Sequence, residues 1–121
     1  MILVDTSVWI DHLANPDERF SEWVERDEIG THHLVIEELS LGSLADRAGF
    51  LGSLADLRRF PRADHAEVMA MVGSHTLWSR GLGAVDVHLI ASARMQRGGR
   101  LWTRDKRMRQ AALAVGVPVV P

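Results

Sequence analysis

The chain has no cysteine, no tyrosine, a single lysine and no long apolar run. Each absence removes a class of chemistry. Without cysteine there are no disulfides, thiolate zinc sites or thiol nucleophiles, so stability has to come from a packed core. Without tyrosine there is no phenolic acid or base. A membrane span needs roughly 18 to 20 apolar residues and a signal peptide needs an apolar stretch, which here is cut short by Asp5; the expectation is a soluble, cytoplasmic protein. What the sequence does have is apolar material, 46% of 121 residues. That suffices for one ordinary domain spanning 1–121 and excludes a multidomain enzyme.

The net charge of -2 conceals a gradient along the chain. Residues 1–38 hold ten acids and two arginines, whereas residues 94–121 hold seven basic groups and one acid, Asp105. Thirteen of the fourteen basic residues are arginine, whose forked donors suit phosphate better than the point charge of lysine. Solvated arginines on exposed helix faces are the plainer explanation of the same composition.

Ile2-Leu3-Val4 reads as a strand buried on both faces, ending at Asp5. A helix capped by Thr6 or Ser7 should come next, to about Leu13. Pro16 then suits the first turn of a second helix, with Phe20, Trp23 and Val24 inward. Further helices are expected over 33–42, 43–58, 64–78, 85–97 and 106–115, with strands at 100–103 and 117–120. Residues 41–50 and 51–60 agree at seven of ten positions, which we read as a local duplication within helical sequence. Helices alternating with short apolar strands make the fold class α/β.

Four acids fall where a core-forming pattern should exclude them. On a helical wheel Glu38 lies on the arc of Leu34, Val35, Leu39 and Leu41, while Asp86 lies among Val85, Leu89, Ile90 and Ala93. Asp5 and Asp105 each come just after a strand, and ligands of open α/β sheets bind at the carboxyl ends of strands. Carboxylates gathered in one crevice repel unless a cation intervenes, and oxygen-only ligands favour magnesium or manganese over zinc. Each acid also has a structural explanation. Asp5 can bond turn amides, Asp86 and Asp105 can cap helices, and Glu38 can pair with an arginine. The adjacent His32 and His33 should point apart on a helix, which argues against their sharing a metal.

These residues carry a resemblance. Met1-Ile2-Leu3-Val4-Asp5-Thr6-Ser7-Val8-Trp9 resembles the first strand and turn of PIN-domain nucleases, and Glu38-Leu39-Ser40-Leu41-Gly42 resembles their second motif. Asp86-Val87-His88-Leu89-Ile90-Ala91 is similar to the third motif, with one extra position, and Leu101-Trp102-Thr103-Arg104-Asp105 to the last. The order and spacing extend over essentially the whole chain and most resemble VapC-type toxins of toxin-antitoxin systems. The likeness implies a three-layer fold with a short central parallel sheet flanked by helices. It also implies a magnesium-dependent endoribonuclease, homodimeric and neutralised by a small VapB-type antitoxin.

Carried over residue by residue, Asp5, Glu38, Asp86 and Asp105 become the catalytic, metal-binding quartet, with Ser7 and Thr103 as supporting hydroxyls. The family often varies at the fourth acid. Hydrolysis by water predicts 5'-phosphate and 3'-hydroxyl ends on the cut RNA. Arg94, Arg97, Arg100, Arg104, Lys106, Arg107 and Arg109 are the expected counterweight that holds the RNA backbone. The four tryptophans suit the core better than base stacking.

A PIN-fold module that binds RNA or protein without cutting is the main rival, and loss of acids would favour it. A phosphate-accepting receiver or phosphatase domain is disfavoured because Ser7 stands where a second aspartate is needed. A dinucleotide fold is disfavoured because Gly81-Leu82-Gly83 lacks the third glycine.

Overall fold

In the computed structural model, which describes residues 1–121, Ile2–Val4 form strand β1 with all three side chains buried. Successive strand side chains point to opposite faces, so both faces of the sheet are covered. β2 (Ile29–Thr31), β3 (Arg58–Arg59) and β4 (Arg100–Trp102) complete a four-stranded sheet in the order β3-β2-β1-β4, and every pairing is parallel. Six helices connect the strands in pairs. They are α1 (Thr6–Ala14) and α2 (Glu18–Glu25), α3 (His33–Ser40) and α4 (Arg47–Asp56), and α5 (His65–Ser74) and α6 (Ala84–Met95). α7 (Lys106–Ala114) comes after β4. The fold is therefore the expected α/β architecture, and no helix is long and apolar enough to cross a membrane.

The chain steps outward from β1 to β2 and β3, then returns to place β4 on the other flank of β1. That reversal leaves a crevice at the carboxyl ends of β1 and β4, where Asp5 and Thr103 lie. The core beneath is one cluster of 27 buried apolar residues. At its centre Trp102, fully buried, meets Phe20 at 5.5 Å and the half-buried Trp23 at 5.2 Å between ring centroids. Trp9 is buried against Phe20, and Trp78 is exposed.

Several elements differ from the sequence expectation. β2 and β3 give no signal in the sequence, because three residues and two residues are too short to show a strand period. Residues 43–58 do not form one helix, since α4 begins only after the Asp46 cap and the chain then enters β3. The expected last strand reduces to a single bridge between Leu101 and Val119. α2 starts at Glu18 under an Asp17 cap, and Val24 faces outward.

Gly30 explains how so short a strand is held. A Cβ there would stand 2.6 Å from the Phe60 ring and 2.8 Å from Met1 Sδ. Glycine thus lets Phe60 lie flat on β2. We expect Gly30→Ala to destabilise the fold by roughly 1 to 3 kcal/mol through overpacking. Equilibrium urea unfolding checks this, and the penalty should shrink in a Phe60→Leu background, where the clashing ring atoms are gone.

Candidate active site

Asp5 leaves β1 with its backbone N–H still in the ladder, donating to Trp102 O at 2.9 Å. Its side chain then caps α1, Oδ1 accepting from Thr6 N at 2.8 Å. The cap is therefore Asp5, not Thr6 or Ser7. Oδ2 accepts two hydroxyls, Ser7 Oγ at 2.9 Å and Thr103 Oγ1 at 2.7 Å. Both hydroxyls also accept a backbone N–H from the turn after β4. Arg104 N donates to Ser7 Oγ and Asp105 N to Thr103 Oγ1, each at 3.1 Å. A buried carboxylate with three donors is thus fixed in direction by the two turns that it joins.

The other acids approach from separate helices. Asp86 lies in the first turn of α6, half-buried, with Oδ2 accepting from Gly83 N at 2.8 Å. Burial holds its carboxyl above the usual range; the Gly83 N–H opposes this, and the Asp5 and Asp105 carboxylates facing it reinforce it. Asp105 is exposed and caps α7, accepting from Arg107 N at 2.8 Å. Glu38 is also exposed, contrary to the helical-wheel expectation, as is Leu41 on the same arc. α3 ends at Ser40, so the wheel does not extend to Leu41. Glu38 takes no arginine; its Oε1 accepts from Thr6 Oγ1 at 2.8 Å, which ties α3 to α1. This role of Thr6 has no signal in the sequence, where nothing distinguishes it from Ser7 as a cap.

The structure brings Asp5, Asp86 and Asp105 within electrostatic reach and holds Glu38 to the same turn through Thr6. The donor set is oxygen-only, and the repulsion that adds to burial in raising Asp86 is one that a divalent cation relieves. No three carboxylates or imidazoles close into a ready-made cation cage.

The basic run divides in two. Arg100 pairs with Ile2 at the amino end of β1, whereas Trp102 pairs with Val4 beside Asp5. Arg100 therefore lies about 10 Å from the acids along the strand. Arg94 lies in the last turn of α6 and Arg97 just beyond the helix, on the turn leading into β4. These three sit at the far edge of the sheet, because α6 carries the chain away from the crevice and β4 brings it back. Arg104, Lys106 and Arg107 are at the near edge. Arg104 pairs with Asp11 at 3.1 Å, and Arg107 lies over Gly81, whose Cβ would be 2.6 Å from its Nη1. Arg109 Nη2 donates to Thr103 O at 3.2 Å, a structural bond within the turn.

Residues 2–113 match the PIN domain family. The chain belongs to the PIN-domain family. It is 54% identical over 117 residues to a protein named Ribonuclease VapC32 in two strains of Mycobacterium tuberculosis, covering 97% of this chain and 94% of the relative. Among solved structures, FitAcB from Neisseria gonorrhoeae aligns with a TM-score of 0.62 at 21% identity, covering 100% of this chain and 97% of that one. PAE2754 from Pyrobaculum aerophilum aligns with a TM-score of 0.65 at 22% identity, covering 98% and 90%. At that identity the two structures speak to the fold.

One feature of this PIN domain has no counterpart in the sequence expectation, and another contradicts it. A cleft of about 930 Å³ opens beside the acids and not over them; Ile10, Leu13, Leu39 and Phe50 line it, with Glu38 on its wall. His32 and His33 stack with ring centroids 4.4 Å apart instead of pointing apart. His32 is the extended cap of α3 and not part of the helix, so the helical 100° step does not separate them.

We expect Thr103→Val to cost roughly 1 to 3 kcal/mol, since it removes a donor from a buried carboxylate and an acceptor from Asp105 N. Thr103→Ser should retain most of that stability, and urea unfolding separates the two. His32 supplies a pH test. Burial, then His33, His88 and Arg62, push its pKa down to about 4. The unfolded chain takes up a proton near pH 6.5 that the folded chain refuses, so stability is full above that pH and falls towards pH 4. The loss is on the order of 3 kcal/mol. His32→Asn offers its side-chain oxygen to Leu34 N in place of Nδ1 and should flatten that part of the profile in unfolding measured from pH 7 to 4.5.

Proposed function

We propose that this PIN domain is a metal-dependent endoribonuclease toxin that hydrolyses phosphodiester bonds of cellular RNA and is neutralised by a VapB-type antitoxin. The observation that carries the reading is the convergence of Asp5, Asp86 and Asp105 at the carboxyl ends of β1 and β4, where burial first, and then the Asp5 and Asp105 carboxylates, raise the Asp86 carboxyl. The identity with proteins named ribonuclease supports it over most of the chain.

Asp5, Glu38, Asp86 and Asp105 are the residues that would hold magnesium or manganese. Magnesium keeps several waters and uses one or two protein carboxylates, so a loose acidic group suits it better than a closed cage does. Such an ion supplies Lewis-acid polarisation of a phosphoryl oxygen and makes water acidic enough to serve as a nucleophile. The chain's own contribution is orientation. Ser7 and Thr103 aim the Asp5 carboxylate, Thr6 aims Glu38, and the Gly83 N–H aims Asp86. Arg104, Lys106 and Arg107 at the near edge offset the repulsion between the acids and the RNA backbone.

The apolar cleft beside Glu38 suits an amphipathic helix of the antitoxin, with Ile10 and Leu13 exposed on its wall and an acid within reach of a basic side chain. A partner seated there lies against the acidic centre. The active toxin is read as a homodimer in the cytoplasm, as its family resemblance implies.

Antitoxin-free protein incubated with total cellular RNA tests the reading. We expect discrete cuts with magnesium or manganese, none with chelator, and 5'-phosphate and 3'-hydroxyl ends. Asp5→Asn should lower the rate by at least about a hundredfold while the protein stays folded. Folded wild type that binds RNA without cutting it in either metal would make the binding-module reading the correct one.

A further inference from the structure

At the carboxyl ends of β2 and β3 a second cavity, about 460 Å³, opens one step along the sheet from the acids. His33, Leu34, Arg62, Ala63, Asp64 and His88 line it. It forms where β2 runs into α3 and where the chain leaves β3, with Phe60 N still bonded to Thr31 O at 2.8 Å. α6 supplies His88 two residues after Asp86. Adjacent strands are about 4.8 Å apart, so the ends of β2 and β3 lie roughly 5 to 10 Å from the end of β1.

Donors predominate here. Arg62 takes part in none of the chain's three ion pairs, which involve Arg19, Arg58 and Arg104. His33 Nδ1 is buried with no partner. Behind it, His32 Nδ1 accepts from Leu34 N at 3.0 Å, so the neutral ring carries its proton on Nε2, and that buried N–H has no acceptor either. The one carboxylate in the lining, Asp64, is committed to capping α5, accepting from Glu67 N at 2.7 Å. A guanidinium within the lining, with the one carboxylate already engaged, disfavours a cation. It favours an anion with several acceptor oxygens.

We propose that His33, Arg62 and His88 bind a phosphodiester of the RNA strand, on the side of the acidic centre opposite to Arg104, Lys106 and Arg107. The inference rests on the nuclease reading above and adds a path: the strand crosses the sheet edge from the β4 side to the β3 side, held at both ends by basic groups. The guanidinium presents parallel N–H groups to the non-bridging oxygens, and the imidazoles add single donors. Burial and the nearby Arg62 also lower the pKa of His33, a strain that an anion would relieve.

The test measures binding of a short single-stranded RNA to antitoxin-free protein in chelator, by fluorescence anisotropy across salt, and cleavage in magnesium. Arg62→Ala should weaken binding about tenfold and reduce the slope of log K against log salt by about 0.7, the loss of one phosphate contact on a single strand. Arg62→Lys should restore that slope. KM should rise about tenfold in Arg62→Ala with kcat within about twofold, the mark of lost ground-state binding. His33→Gln gives an independent variant, expected to raise KM about threefold without altering the thermal melt. Unchanged slope and KM in folded Arg62→Ala and His33→Gln, with wild type active, would overturn the subsite alone. Wild type that neither binds nor cuts RNA would overturn both the subsite and the nuclease reading.

Discussion

The crevice depends on one oxygen. Asp5 Oδ2 receives the hydroxyls of Ser7 and Thr103, and those hydroxyls in turn receive the backbone N–H groups of Arg104 and Asp105. The turn after β1 and the turn after β4 are thus joined through a carboxylate that pairs with no basic side chain. Apolar side chains could pack the two turns together, but they could not aim a charged oxygen. The arrangement also sets where Asp105 sits, since its N–H is one of the bonds and its side chain caps α7. A capping role and a ligand role are therefore not competing explanations of these acids. In Asp105 and Asp86 the helix-end bond takes one oxygen and orients the other.

The same turn organises the rest of the acidic group. Thr6, one residue after Asp5, holds Glu38 and so joins α3 to α1. Asp86 arrives on α6 with one oxygen bonded to Gly83 N and meets the fields of Asp5 and Asp105. Repulsion of this kind costs stability, and the core of 27 apolar residues underneath offsets it. Site and scaffold are opposed in energy, as is usual where function places charge in a half-buried crevice.

β1 and β4 can be read from the sequence because each signal is local: a short buried run that ends at Asp5 in one case and at Thr103-Arg104-Asp105 in the other. Other elements are set by distant partners. The hexapeptide Leu-Gly-Ser-Leu-Ala-Asp occurs twice. At 41–46 it forms the turn before α4, and at 51–56 it is the helical end of α4. No propensity argument separates two identical strings, so the flanking residues and the surface that each copy packs against decide between turn and helix. β2 is similar, since three residues with glycine at the centre become a strand only when Phe60 covers Gly30 and β1 pairs alongside. Glu38 shows the limit of the helical wheel. Its arc includes Leu41, but the helix stops at Ser40 and both side chains face solvent.

The basic run shows why charge counted along a chain is a poor map of charge in space. Seven cations within 16 residues read as one patch, yet α6 and β4 run in opposite senses, so Arg94, Arg97 and Arg100 end at one edge of the sheet and Arg104, Lys106 and Arg107 at the other. Conversely, Arg62, His33 and His88 are far apart in sequence and share a cavity. Carboxylates at the centre of a crevice repel a polyanion, and positive charge on one flank alone would draw the backbone past them. In the proposed nuclease, balanced cationic groups on both sides would hold a phosphodiester over the acids. The parallel sheet supplies both flanks without extra structure, because its strand ends deliver α3, the residues after β3 and α7 to the same edge.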